Sequence, residues 1–309
     1  MKALGLGLLV LLSIAQPACD RGTTDPTKST GTAAAGPITG AGSPTVKLLD
    51  AGKAPKKALR FTARQGLKKN LTMTMDMAMT INVGGSPRVQ KIPTIKMPLD
   101  IVITEVAKNG DLRYTFKLLE PEIVTDDSSV PAVVDAMKGM LVSMTGLSGD
   151  ALVTNRGVTK SVDIKVPAGA NPQIAQFIDS LKQSIGQMCA PLPEQEVGVG
   201  AKWETTTKVE QNGLTLVQVA TTELVSVEGD VLTLNIVMKQ TAAPQTIKKN
   251  GVTVEMQKYT GTGGGDSTIN LAEVVPSKAT VTMKSEMEMK SGGQQIGMGI
   301  DLFVTIGSK

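Results

Sequence analysis

The chain has 309 residues, with 32 Lys and Arg against 28 Asp and Glu, a net charge of +4 and no histidine. The lack of histidine excludes Ser-His-Asp and Cys-His nucleophiles and every histidine-containing metal site. Aromatic residues make up only 2% of the chain and the basic residues are scattered, which disfavours a nucleic-acid-binding surface. We therefore expect a protein that is not an enzyme, binds no nucleic acid and carries no cofactor.

Residues 1–18 have the pattern of an export signal. Lys2 supplies a positive start, an apolar run extends from Ala3 to Ile14, and Gln16-Pro17 ends that run. The run is too short to cross a bilayer, because a spanning helix needs about 20 apolar residues. The pattern predicts a signal peptide and an exported protein.

Cys19 follows this signal directly and is preceded by a small residue, Ala18. The pair resembles the signal of bacterial lipoproteins, in which the cysteine sulfur takes a diacylglycerol and the new amino terminus is acylated. The resemblance implies lipid attachment at Cys19 and a membrane-tethered place in the bacterial cell envelope, at either the inner or the outer membrane. The alternative is ordinary signal cleavage after Ala15, which would leave Cys19 as a free thiol.

The segment behind Cys19, residues 20–46, consists almost wholly of Gly, Ala, Ser, Thr, Pro and Asp. It offers too little apolar surface to offset the entropy of ordering, so residues 19–46 are predicted to form a lipidated, disordered tether. The remaining residues, 47–309, are numerous enough to enclose one large hydrophobic core. They are predicted to form a single β-rich domain.

Alternation of apolar and polar residues dominates this domain. Every odd position from Leu71 to Val83 is apolar, and a period of two recurs in three later stretches, 232–238, 252–256 and 281–304. Turn sequences separate the runs: Asn109-Gly110-Asp111, Glu228-Gly229-Asp230, Asn250-Gly251, Gly263-Gly264-Gly265 and Gly292-Gly293. The pattern predicts about ten to thirteen antiparallel strands linked by hairpins.

Two segments follow a helical period instead. Apolar residues recur at intervals of three and four near 131–146 and near 172–188. A sheet with one apolar face must bury that face against another layer, and two amphipathic helices supply part of the cover. We therefore predict a mainly β, α+β fold with a large curved antiparallel sheet, half-barrel or sandwich-like, and two helices covering one face.

Two short motifs resemble those of an uncharacterised family of exported bacterial lipoproteins. The first is a strand, an Arg-Gly turn at Arg156-Gly157 and a second strand; the second runs from Leu192-Pro193 to Val199-Gly200-Ala201-Lys202-Trp203. The resemblance covers most of residues 58–306 and implies no known activity. More distantly, the architecture is similar to curved-sheet lipid-binding lipoproteins, which implies an acyl chain held between sheet and helices.

The sequence contains no recognisable catalytic constellation. Asp126-Asp127 precede a helix, where carboxylates stabilise the positive helix end, and Glu194 and Glu196 flank the Leu-Pro motif in a predicted loop. The Gly-rich run 261–267 lacks the Lys-Ser/Thr pair of a phosphate-binding loop. We predict no catalytic, cofactor-binding or metal site. Capture of Cu(I) by methionine is a weaker alternative, because alternate residues on a strand form a line and do not converge.

Methionine is abundant, with 16 residues against 4 Phe. Flexible thioethers either fill a core that lacks aromatics or line a cavity for an apolar ligand of variable shape. Two functions are therefore open: a structural or protein-interaction role in the envelope, and binding or carriage of a lipid or other apolar molecule. The residues that would line the ligand are Met73, Met75, Met77, Met137, Met140, Phe177, Leu181 and Trp203.

Two further residues, Trp203 and Cys189, are expected to have structural roles. Trp203 is the only tryptophan and is expected to anchor the core, with a ligand-stacking role as its alternative. Cys189 lies at the end of the second helical segment, just before Pro191, and is expected to be buried as a small apolar side chain.

Overall fold

The computed structural model describes residues 43–127, 129–142, 144–166, 174–211, 214–249 and 252–308. The predicted signal peptide, Cys19 and nearly all of the predicted tether lie outside these residues. Within them the chain forms sixteen strands and two helices. In chain order these are β1 Thr45–Asp50, β2 Lys57–Ala58, β3 Lys68–Val83, β4 Ser86–Val106, β5 Leu112–Leu118, β6 Glu122–Val124, α1 Pro131–Val142, β7 Ser148–Val153, β8 Thr159–Lys165, α2 Ile174–Gly186, β9 Glu196–Val197, β10 Lys202–Gln211, β11 Leu214–Glu228, β12 Val231–Ala242, β13 Gln245–Lys249, β14 Val252–Asn270, β15 Lys278–Ser291 and β16 Gln294–Ser308.

Fourteen of the strands form one antiparallel sheet, which confirms the predicted mainly β fold. Its order is β1-β10-β11-β12-β14-β15-β16-β3-β4-β5-β7-β8, with β13 paired to β14 and β6 paired to β4. The sheet is not closed into a barrel, since β1 and β8 end the order. β2 and β9 form a separate small pair. The strand number exceeds the prediction because strands of two to five residues, such as β2, β6 and β13, carry too few residues to show a period.

Both helices lie on one face of the sheet, here called the inner face. Val133, Met137 and Leu141 of α1 pack against Ile95, Met97 and other apolar residues of β4. From α2, Leu181 and Ile185 reach the core, and Gln183 donates a hydrogen bond to the Glu210 carbonyl at the end of β10. The two predicted helices are confirmed, although the described helical residues begin or end a few positions inside the predicted bounds.

Three apolar clusters form the core. The largest surrounds Trp203 and takes side chains from strands at both ends of the sheet order, such as Val162 and Leu224. The second lies beneath α1. The third collects Val254, Met256 and Met289 with neighbours from β10, β11 and β13. The inner face of the sheet is therefore buried at its two flanks, beneath the helices at one and among side chains of β10, β11 and β13 to β15 at the other.

The prediction of a turn at Gly263-Gly264-Gly265 is wrong. These glycines lie in the middle of β14 and pair without interruption to β12 on one side and β15 on the other. A Cβ on Gly263 would collide with the Thr282 carbonyl oxygen, and one on Gly265 with the Thr280 carbonyl oxygen. The glycines are therefore needed for close approach of neighbouring backbones within the sheet, which is a known use of glycine in strands.

By contrast, the turn at Gly292-Gly293 is confirmed. Both glycines have positive φ, 56° and 81°, and they join β15 to β16. Residues without a Cβ adopt this conformation readily, and two successive positive φ values match the twist of the flanking strands. The Glu228-Gly229-Asp230 turn is also confirmed, between β11 and β12, whereas Asn250-Gly251 lies outside the described residues.

Candidate functional site

The methionines predicted to line a ligand lie in two settings. Met73, Met75 and Met77 are half-buried on the inner face of β3, where they contact the cluster beneath α1. Met137 is buried in that cluster, with 1% exposure, whereas Met140 is half-buried on α1. The β3 methionines therefore lie at the edge of the helix-covered region.

The other predicted residues are divided between core and helix. Trp203 is fully buried in the largest cluster, and its Nε1 donates a hydrogen bond of 3.0 Å to the Pro191 carbonyl. Leu181 on α2 is half-buried and contacts both the largest cluster and the one beneath α1. Phe177 lies on α2, but its side chain is outside the described residues, as is Cys19.

The two sequence motifs meet in the structure. The Leu192 N–H donates to the Arg156 carbonyl at 2.8 Å, and Arg156 Nε donates to the Leu192 carbonyl at 3.0 Å. Gly157 has a φ of 75°, and a Cβ there would lie 2.7 Å from the Ala190 carbonyl oxygen. The Arg-Gly turn is therefore shaped to fit against the segment that precedes the Leu-Pro motif.

Arg60 and Trp203 complete this junction. Arg60 donates to the Pro193 carbonyl at 3.1 Å and to the Glu194 carbonyl at 2.7 Å. Burial and the nearby Arg156 guanidinium lower the pKa of Arg60, while Glu194 opposes this effect. These contacts satisfy backbone carbonyls of residues 191–194, so the motifs hold a loop against the core. We conclude that their role is architectural.

A different part of the inner face is left open between the clusters. Nine apolar side chains there are half-buried and belong to none of the three clusters. We call this set the inner apolar patch: Ile236, Met238, Val281, Met283, Ile300, Leu302, Val304, Met79 and Ile81.

Strand register makes the patch continuous. Met238 of β12 pairs with Gly263 of β14, which pairs with Met283 of β15, and Met283 pairs with Leu302 of β16. Leu302 in turn pairs with Met77 of β3. Since neighbouring strands are about 4.8 Å apart, the four steps from β12 to β3 span about 19 Å. The glycines of β14 carry no side chain into this row, so the row forms a shallow apolar trough.

Beside the patch, the inner face carries a charge at Arg88 of β4, which is exposed and pairs with Ile81 of β3. Among the described residues, the inner positions of β11, β12, β14, β15 and β16 contain no Lys, Arg, Asp or Glu. The outer face is different: Lys284, next to Met283, pairs with Asp301, next to Leu302, at 3.5 Å. In these five strands, alternation therefore separates a neutral apolar face from a charged, solvated one.

Polar side chains border the patch in one uncharged series, here called the amide ladder: Gln218, Gln240, Tyr259 and Ser285. Tyr259 Oη donates to Gln240 Oε1 at 2.7 Å, and Gln240 Nε2 donates to Gln218 Oε1 at 2.7 Å. Burial raises the pKa of Tyr259, while its hydrogen bond with Ser285 acts to lower it. Gln240 lies beside Gly261, directly along its strand from Met238.

The acidic residues considered from the sequence lie elsewhere. Asp126 is on the loop before α1, and Glu194 is exposed at the motif junction, 3.5 Å from Arg156. No group of three or more Cys, Asp or Glu in the described ranges is placed to hold a metal ion. In the same ranges, no helix has both the length and the apolar character required to cross a membrane.

Part of the chain is similar to a family of unknown function. Residues 177–276 match a model described as a family of unknown function, DUF6263. This stretch contains the motif from Leu192 to Trp203 and leaves the Arg156-Gly157 turn outside. The match agrees with the expected uncharacterised family and brings no activity. No curated protein matches the chain.

One similar solved structure is the translocator domain of the autotransporter NalP from Neisseria meningitidis. The similarity covers 78% of this chain and 88% of that one, at 10% identity and a TM-score of 0.17. At that TM-score the similarity supports no conclusion about fold or function.

None of the nine patch residues was among those predicted to line a ligand, and the ladder was not predicted. Alternation placed Met79, Met283 and Leu302 on apolar strand faces, but the pairing of these strands depends on contacts between residues far apart in the chain. Gln218 and Gln240 interrupt two apolar alternations, which is the one local sign that a polar feature lies on an apolar face.

Proposed function

We propose that this protein is a non-enzymatic cell-envelope lipoprotein that binds an apolar ligand on the inner apolar patch. The observation that carries the proposal is a neutral trough of half-buried apolar side chains between two helix- or strand-covered clusters. Contiguous apolar surface that a fold leaves uncovered marks a binding site more often than chance packing. Export and lipid attachment at Cys19 belong to the proposal as the means by which the domain is held near lipid.

The composition of the patch suits a flexible apolar ligand. Met79, Met238 and Met283 contribute unbranched thioether side chains, which adapt to partners of variable shape. Burying one such side chain fully yields about 1.5–3 kcal/mol relative to leaving it exposed. Further burial of nine half-buried side chains by one ligand would therefore supply a useful share of a micromolar binding free energy, about 8 kcal/mol.

The first test is the content of the purified protein. Full-length chain extracted with organic solvent should release close to one lipid per chain, identified by mass spectrometry. An extract without lipid, together with no uptake of a fluorescent acyl lipid, would reject the binding function. A chain that takes up no lipid but purifies as a dimer would show instead that a second copy covers the patch.

Two neighbouring residues give a matched pair of variants. Met283 lies in the patch and Lys284 lies on the outer face, so Met283→Gln and Lys284→Gln introduce the same side chain on opposite faces. Met283→Gln should weaken lipid binding five- to tenfold, which corresponds to about 1–1.4 kcal/mol of lost apolar contact. Lys284→Gln should bind as the native chain does. If the two variants weaken lipid binding equally, the lipid does not bind on the inner face.

The membrane anchor has its own test. Cells fed a labelled fatty acid should incorporate label into the native chain and not into a Cys19→Ser variant. Absence of label from the native chain would show that the exported protein is freely soluble and not anchored. This outcome would not test ligand binding on the inner apolar patch.

A further inference from the structure

The amide ladder ends in hydrogen-bond donors that no described residue uses. Gln218 Oε1 accepts from Gln240, but neither N–H of the Gln218 amide has an acceptor among the described residues. Gln218 is half-buried on the inner face of β11, in register with Gln240. A half-buried amide donor at the edge of an apolar trough favours a ligand that has an acceptor oxygen at that position.

The direction of the ladder fixes which groups are donors. Because burial raises the pKa of Tyr259, its phenol stays protonated and its O–H is committed to Gln240 Oε1. One N–H of Gln240 Nε2 then donates to Gln218 Oε1. The ladder therefore leaves the N–H donors of Gln218 for the ligand, while the amide oxygens of Gln218 and Gln240 each already accept a hydrogen bond from within the ladder.

Charge decides between the two main classes of acyl ligand. A carboxylate or phosphate placed at Gln218 would leave water without meeting a strand cation, because the described inner positions of β10, β11, β12, β14, β15 and β16 carry none. Arg88 of β4, which pairs with Ile81 at the far side of the patch, is six strand steps from β11, about 29 Å. Moving an unpaired charge from water costs far more than moving a hydroxyl or ester that receives a hydrogen bond. The outer face, where Lys284 and Asp301 lie, is shielded from the trough by the sheet itself.

We propose that the ligand is an uncharged acyl lipid with an ester or hydroxyl head, such as a monoacylglycerol, whose head oxygen accepts from the Gln218 amide while its chain lies along the inner apolar patch. This inference rests on the proposed apolar-ligand function and narrows it to a ligand class. It requires no covalent step.

The test compares three fluorescent probes on the full-length chain. Two carry the same labelled acyl chain, one as a monoacylglycerol and the other as a free fatty acid at pH 7.5, and the third is diphenylhexatriene, which has no polar head. The monoacylglycerol should bind at least tenfold more tightly than the fatty acid. Equal or tighter binding of the fatty acid overturns the inference while leaving the apolar-ligand function standing.

Two glutamines on the inner face give matched variants. Gln218→Leu should weaken monoacylglycerol binding at least threefold and leave diphenylhexatriene binding unchanged, since only the head contact is lost. Gln90→Leu makes the same substitution on the inner face of β4, opposite Met79 and outside the ladder, and should change neither probe. A Gln218→Leu chain that binds monoacylglycerol as the native chain does overturns the inference. Failure of all three probes to bind the native chain would instead reject the proposed function itself.

Discussion

Trp203 illustrates how one residue supports both the core and the motif junction. Its indole is fully buried, and its N–H satisfies the Pro191 carbonyl at 3.0 Å. The sequence predicted the core role from a single tryptophan beside a Val-Gly pair. It gave no means to identify Pro191 as the acceptor, because the loop that carries Pro191 is positioned by Arg156 and Arg60 from distant parts of the chain.

Cys189 is buried, with 2% exposure, which confirms the sequence prediction. Its Sγ donates to the Val274 carbonyl at 3.0 Å, and burial raises the pKa of the thiol from 9.0 to about 12. Since the thiolate is the reactive form, the native thiol should be inert. In a Cys19→Ser chain at pH 8, maleimide should alkylate Cys189 at least a hundredfold more slowly in buffer than in guanidinium. Comparable rates would show that the thiol is accessible.

The same burial makes stability depend on alkaline pH. Above pH 9 the unfolded thiol loses its proton while the folded thiol keeps it up to about pH 12, so the unfolded state binds fewer protons and stability falls as pH rises. The loss from this group is about 1.4 kcal/mol per pH unit. Urea unfolding of the native chain and of Cys189→Ala at pH 8 and pH 10 measures it. The native chain should lose more stability over this interval, and equal losses would contradict the assignment.

At the scale of elements, β14 shows most clearly where local sequence rules fail. A run of three glycines is ordinarily a turn signal. Here the strand continues through it, because β12 and β15 supply ladder partners on both sides and their carbonyl oxygens occupy the space that side chains would need. Tertiary pairing overrides local propensity, and no nearest-neighbour pattern contains that information.

This account of β14 predicts a difference between two glycine-to-alanine variants. Gly263→Ala places a Cβ against the Thr282 carbonyl oxygen and should destabilise the fold by about 1–3 kcal/mol, as overpacking does. Gly299→Ala in β16 meets nothing closer than 3.5 Å and should change stability by less than about 1 kcal/mol. Midpoints of guanidinium unfolding measure both. Equal shifts in the two variants would contradict a close-approach role for Gly263.

The helices and the long strands were predictable because their periods extend over many residues. Alternation over thirteen positions identified β3, and helical spacing identified α1 and α2. The short strands β2 and β9 were missed, since two residues define no period. The strand pairs that align Met238 with Met283 and Leu302 join residues up to 25 positions apart and follow from the topology.

On the scale of the whole molecule, the sheet divides polar and apolar chemistry between its faces and then covers only part of the apolar one. Helices cover one flank, and at the other flank side chains of β10, β11 and β13 to β15 bury one another. The centre, made by β12 and β14 to β16 with β3, lacks a covering element among the described residues. The sequence predicted the one-sided sheet. It did not predict where the cover would end, because that depends on which strands the helices reach.

The most direct test of the central claim is to map where a lipid lies on the folded protein. A photoactivatable monoacylglycerol bound to the full-length chain should, on illumination, form adducts on inner-face residues such as Met238, Met283 and Leu302, identified by tandem mass spectrometry. Adducts concentrated on their outer-face neighbours, such as Lys284 and Phe303, would contradict the account. So would adducts spread evenly over both faces.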